Sequence, residues 1–188
     1  MNQNSKGKKI LNAISGIFLP IINLITAASI IKSILILLAA GDIISKDGGT
    51  YRIFYAVSDG VFFFMPFMLA ITSARQFKAD PFIAMMIPFA CLYPAVSDIL
   101  ENGNNFQFLC FTVPPAVYHS SVIPVVLAVG FLHFVEIPCD KWLSEALKGF
   151  LKPILSMIIV LPFTFLIFGP AGTWIGAFLQ KHSLLSMN

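Results

Sequence analysis

Charge is the scarcest property of this 188-residue chain: 11% of its residues are Asp, Glu, Lys or Arg, against a hydrophobic fraction of 57%. A soluble domain of this size needs about a quarter charged residues to cover its surface. The shortage excludes a water-covered globule and leaves lipid, or other membrane helices, to cover the rest. Cysteine is equally sparse. Cys91, Cys110 and Cys139 are far apart, which excludes a disulfide framework or a clustered zinc site and leaves them as small apolar packing residues. The acidic residues are isolated, so the Mg²⁺-holding cluster of membrane phosphate- or prenyl-transfer enzymes is missing. No basic stripe with interleaved aromatics offers a surface for nucleic acid. No catalytic residue, metal, cofactor or nucleic-acid partner is therefore expected. Internal repeats, low-complexity tracts and linkers are also absent, so residues 1–188 read as one membrane domain.

What the chain has instead is five long apolar stretches. Residues 10–31 are uncharged, 53–74 carry only Asp59, 81–97 are uncharged, and two more runs fill 102–135 and 153–180. About 20 apolar residues cross a bilayer core as a helix. Lys and Arg fall on alternate sides of these runs. With the N-terminus inside, one face receives Lys6, Lys8, Lys9, Arg75, Lys78, Lys141, Lys148 and Lys152, and the other only Lys46, Arg52 and Lys181. The positive-inside rule then puts the N-terminus in the cytoplasm and the C-terminus outside. The net charge of +3 reports this orientation and contact with anionic lipid. The basic, apolar N-terminus mimics a secretory signal, but its run is too long for one and reads as an uncleaved first span.

The expected fold class is all-α and polytopic, with spans at about 11–40, 53–73, 81–96, 118–137 and 153–169. Pro20 interrupts the first span and Pro66 the aromatic second. Asp80 before Pro81 is an N-cap followed by proline at the first helical position. Asn102-Gly103-Asn104-Asn105 and Pro114-Pro115 forbid a continuous helix, so an outer loop with an interfacial or re-entrant piece precedes the fourth span. After Pro138, Trp142, Leu143, Ala146, Leu147, Phe150 and Leu151 recur at helical spacing, opposite Lys141, Glu145, Lys148 and Lys152. This is a cytoplasmic amphipathic helix over about 140–152, resting on lipid or docked on protein. The fifth span starts at Pro153 and stops at Gly169-Pro170. Trp174 belongs to an outer aromatic belt.

Asp59 is the one carboxylate inside a span, a functional candidate because its burial in lipid is costly. The alternative is local pairing. Counted from the outer ends of their spans at ~1.5 Å per residue, Lys32 and Asp59 lie at a similar depth of ~9 to 12 Å. His133 and Glu136 share a helical face, but two ligands do not make a metal site.

Five blocks, in order, resemble a known family: Ile14-Ser15-Gly16-Ile17-Phe18-Leu19-Pro20 with Thr26-Ala27-Ala28; Tyr55-Ala56-Val57-Ser58-Asp59-Gly60 through Pro66; Ala79-Asp80-Pro81-Phe82; Tyr118-His119-Ser120-Ser121 through Val129; and Phe168-Gly169-Pro170-Ala171-Gly172-Thr173. They are similar to the membrane component, IIC, of phosphoenolpyruvate-dependent sugar phosphotransferase permeases, in the branch for β-glucosides, sucrose, trehalose and N-acetylmuramate. The resemblance implies a multi-pass protein of the bacterial cytoplasmic (inner) membrane with about ten spans. A first set forms a dimer-facing scaffold. A second set, which carries the sugar site with a histidine and a glutamate, moves against it. On this reading the chain corresponds to the scaffold half, embedded in the lipid bilayer as a homodimer. Its implied partners are a second IIC half, the IIB and IIA phosphotransfer domains, and the sugar. The complete permease is a sugar phosphotransferase, but the phosphocysteine of IIB has no counterpart here. The alternative is a truncated or split membrane protein without transport of its own, which the downstream DNA would reveal. Within this frame the weak substrate-site candidates are Asp59, Lys32 and His119: Asp59 at an interface with the sugar-carrying half, His119 on a sugar path or as an interfacial hydrogen-bonding group.

Overall fold

Helix α1 runs over Gln3–Ala40 in the computed structural model, which describes residues 3–101, 107–108, 111–112 and 122–172. Its apolar run leaves few polar groups to satisfy, and Ser29 and Ser33 donate to the carbonyls of Ile25 and Ser29 one turn back. Pro20 sits within it without ending it, as membrane helices allow. A turn closed by Gly41 and Asp42, the latter at φ 56, reverses the chain.

The second expected span is two helices, α2 (Gly49–Phe63) and α3 (Met65–Phe77), bent by 41°. Pro66 has no N–H to donate to Phe62, so the helical ladder breaks there. Lys78 takes the left-handed conformation at φ 59 and ends α3, with the Ala79 N–H donating to the Ala74 carbonyl at 2.9 Å.

Asp80 then caps α4 (Pro81–Ala84), accepting from the N–H groups of Phe82 and Ile83 at 2.8 and 3.3 Å. The third expected span is broken twice, into α4, α5 (Met86–Leu92) and α6 (Pro94–Glu101). Pro88 cannot donate to Ala84, and Pro94 holds Tyr93 extended at ψ 125. The apolar piece Pro81–Leu92 reaches ~18 Å at ~1.5 Å per residue, short of a ~30 Å hydrocarbon core.

One departure from an all-α fold follows, a two-residue antiparallel ladder of β1 (Gln107–Phe108) with β2 (Phe111–Thr112). It falls where an irregular outer segment was expected. Helix α7 (Val122–Trp142) passes through Pro138, and the chain breaks only at Leu143 and Ser144. The Ser144 carbonyl accepts the first bonds of α8 (Glu145–Phe163), from Leu147 and Lys148. The expected separation of an amphipathic helix at 140–152 from a span beginning at Pro153 does not occur. Residues 140–142 close α7, and α8 continues unbroken through Pro153. The stop expected at Gly169-Pro170 is likewise passed: a π turn over Thr164–Phe168, with the Gly169 N–H on the Thr164 carbonyl, carries the helix to Gly172. Pro162 and Pro170 flank that turn, where a helix absorbs an extra residue.

Among the described residues three helices are long and apolar enough to cross a bilayer, α1 from Gly7, α7, and α8 through Gly172, and the bent pair α2–α3 makes a fourth if it is one broken span. Helix α1 packs along α2 and α3, α3 along α7, and α7 along α8. Ala70, Ala74, Ala84 and Ala128, all fully buried, let α3, α4 and α7 approach closely around Leu132 and Val129. A smaller cluster of Ile17, Ile21 and Leu69 joins α1 to α3. The Gln76 amide lies against Gly16 at this crossing, where a larger residue would require that side chain to move. The outer faces are apolar too, with Leu19, Leu37, Ile53, Phe82 and Phe134 exposed, as for helices that face lipid or membrane partners.

Candidate functional site

Because α1 and α2 are antiparallel neighbours joined by a short turn, residues equally far from that turn meet. Lys32 and Asp59 do so. Lys32 Nζ donates to Asp59 Oδ1 at 2.6 Å, the local pairing that their similar depth allows. The ammonium also lies 4.6 Å from the centre of the Tyr55 ring and 6.0 Å from that of Phe62, within range for attraction to the ring faces. Tyr55 itself stacks on Tyr51 at 5.6 Å, so Tyr51, Tyr55 and Asp59 form a ladder on one face of α2 at helical spacing. The pair is asymmetric. The Lys32 side chain is 26% exposed and that of Asp59 58%. The lysine is thus enclosed by its carboxylate and aromatic partners, while the carboxylate has a side open to the protein surface. Such a group can bind, or exchange partners.

A second polar cluster lies at the other end of the helices. Glu136 on α7 is only 3% exposed, and both its carboxylate oxygens accept from the Asp80 backbone N–H, at 3.0 and 3.2 Å. Lys152 on α8 lies 3.7 Å from Glu136 and hydrogen bonds Asp140 at 3.2 Å. One carboxylate therefore ties the α3–α4 turn to α7 and, through Lys152, to α8. Sequence reasoning noted Glu136 only beside His133, whose ring instead meets Phe134 edge-on. The partner of Glu136 is a main-chain donor, which leaves no mark in side-chain patterning. The available signal was a buried-face acid one turn before Asp140 in an apolar helix.

Among the described residues, no three His, Cys, Asp or Glu side chains converge to hold a metal ion. Cys91 and Cys139 are buried thiols within the helix packing. His119, Cys110 and Trp174 lie outside the described residues. Ser73 and Ser156 keep buried hydroxyls with no hydrogen-bond partner.

Comparison with known proteins places this architecture. The family model for "Phosphotransferase system, EIIC" matches residues 15–187. The chain is 32% identical to a PTS system beta-glucoside-specific EIIBCA component of Halalkalibacterium halodurans, in an alignment that covers 96% of the chain. It is 30% identical, over 91% of its length, to an arbutin-, cellobiose-, and salicin-specific EIIBC component of Escherichia coli. A sucrose-specific EIIBC component of Salmonella typhimurium is 27% identical over 90% of it. The chain spans 30 to 38% of the length of these three relatives. No solved structure matches it. The family match covers nearly the whole chain, includes both polar clusters and agrees with the apolar helices that surround them. The chain belongs to the EIIC family of the phosphotransferase system, the integral membrane component of its sugar permeases.

Proposed function

We propose that this chain is the scaffold part of a IIC permease for a β-glucoside or a related glucosyl sugar of the sucrose or trehalose type, set in the bacterial cytoplasmic membrane. It crosses five times with the N-terminus inside and the C-terminus outside. In this arrangement α1, the bent α2–α3 pair, the broken segment α4–α6, α7 and α8 are the five crossings. The sugar-carrying part of the permease moves against this scaffold, two scaffolds form the dimer, and IIB and IIA domains deliver the phosphoryl group. The fused EIIBCA and EIIBC organisation of the relatives supports these partners.

The observation that carries the reading is the family match over residues 15–187, on helices whose outer faces are apolar. The exposed side of Asp59 faces the sugar-carrying part, and the hydrogen bond from Lys32 holds the carboxylate in place. Positioning is thus separate from chemistry: on this reading the chain by itself neither binds sugar tightly nor phosphorylates it.

The test is phosphosugar formation in membranes that contain this chain, phosphoenolpyruvate, the general phosphotransfer proteins and a labelled β-glucoside. The expected result is no phosphosugar above background. Robust sugar-dependent phosphorylation by this chain alone would overturn the proposal.

A further inference from the structure

Helix α8 is longer than a bilayer core is thick. From Glu145 to Gly172 it has 28 residues, about 42 Å at ~1.5 Å per residue. The hydrocarbon core is ~30 Å, so about eight residues are surplus. Hiding them by tilt would take about 45°, outside the roughly 0–40° of membrane helices. Charge shows which end protrudes. Glu145, Lys148 and Lys152 all fall within residues 145–152, and residues 153–172 carry no charged side chain. The hydrocarbon boundary therefore crosses α8 near Pro153.

Side-chain contacts carry that level to the neighbouring helices. Lys152 hydrogen bonds Asp140 at 3.2 Å and lies 3.7 Å from Glu136, and Glu136 accepts from the Asp80 N–H at 3.0 Å. The same level thus passes through residues 136–140 of α7 and through the start of α4. Three aromatic side chains from three helices stand around it: Phe82 is 78% exposed, Trp142 86% and Phe150 70%. Trp142 lies two residues beyond Asp140, and Phe150 two before Lys152, each ~3 Å outward along its helix. Phe82 lies two residues past Asp80, a similar distance inward. Helix length and charge place the boundary, and the exposed aromatics, which entered neither count, fall on it.

A lipid boundary suits these groups. An indole there sets its ring on acyl chains and its N–H among headgroups, and Phe buries its ring at the same depth. Lys148 and Lys152 are taken up by Glu145 and Asp140, so the attraction is apolar and needs no anionic headgroup. We propose that Phe82, Trp142 and Phe150 form an interfacial belt that seats this end of the protein at the headgroup–acyl boundary, with the start of α8 passing through the headgroup layer. The inference rests on the membrane class and not on the scaffold reading, so its failure leaves that reading untouched.

Single-tryptophan chains report depth. The purified full chain is reconstituted in phosphatidylcholine brominated either near the headgroup end or near the middle of its acyl chain, since bromine quenches a neighbouring indole. Trp174→Phe leaves Trp142 alone. Adding Trp142→Phe together with Phe82→Trp or Phe150→Trp reads the other two positions, and Phe163→Trp in that background reads a position ten residues inside the boundary. Bromine near the headgroup should quench positions 82, 142 and 150 about twofold more strongly than mid-chain bromine, as for rings at the interface. The order should reverse at position 163. Stronger mid-chain quenching at Trp142 overturns the proposal. So does a Trp142 that neither lipid quenches while position 163 responds, which marks an indole in water or covered by protein. A headgroup-end preference at position 163 overturns it too, because the boundary would then lie elsewhere on α8.

Discussion

Lys32 and Asp59 bring opposite charges into apolar helices, and each is tolerable there because of the other. Removing one partner leaves the second uncompensated in the bilayer, a cost of about 3 kcal/mol on insertion scales. Lys32→Asp and Asp59→Lys should each lower the thermal midpoint of the detergent-purified chain, and the double exchange should recover most of the loss. A double variant no better than either single one would show that the contact contributes nothing. Glu136 behaves differently because its main partner is a backbone N–H. Glu136→Gln keeps an acceptor for Asp80 and should cost less than 1 kcal/mol, whereas Glu136→Ala orphans a buried donor at about 1–3 kcal/mol; thermal unfolding distinguishes the two. Ser73 and Ser156 bury hydroxyls without partners. Their replacement by alanine removes unpaid desolvation, so both variants should unfold at or above the parental midpoint. The Lys32–Asp59 meeting was legible in the sequence because two antiparallel helices and a count of residues fix relative depth. The Glu136–Asp80 contact was not, because it joins a side chain to a peptide group 56 positions away.

Among the elements, those with local causes were the most legible. Asp80-Pro81 starts α4 as its side-chain and ring chemistry dictate, and Pro66 breaks the second span. Asp80→Ala should remove that cap at a cost of about 1 kcal/mol. The Asp80 backbone N–H still reaches Glu136 in that variant, so the loss in thermal stability should stay below that of Glu136→Ala. Prolines in the longer helices were less readable. Pro88 and Pro94 break the third stretch, while Pro138 and Pro153 lie within continuous helices. The difference lies in the neighbours. Helices α7 and α8 pack against each other, and packing can offset one missing backbone bond. The continuation past Gly169-Pro170 depends on a π turn, an irregularity with no sequence period of its own.

For the whole molecule, composition and charge placement established the membrane class, and the ordered blocks around Gly16, Asp59, Asp80 and Gly169 established the family. Helix packing lay beyond them. The close approach of α3 to α7 rests on buried alanines, and alanine is equally at home on an exposed helix. The apolar exterior of α1 fits lipid and protein partners alike, so side-chain pattern alone assigns no interface to it. The proposed five-span topology has an odd number of crossings, which sets the N-terminus and C-terminus on opposite faces. Its most direct test is labelling of intact cells by a membrane-impermeant thiol reagent, in a chain with Cys91, Cys110 and Cys139 replaced by alanine and one new cysteine from Ser5→Cys or Ser186→Cys. With five crossings, position 186 is labelled from outside and position 5 only after the cells are permeabilised. Labelling of both positions from the same face would mean an even number of crossings and contradict it.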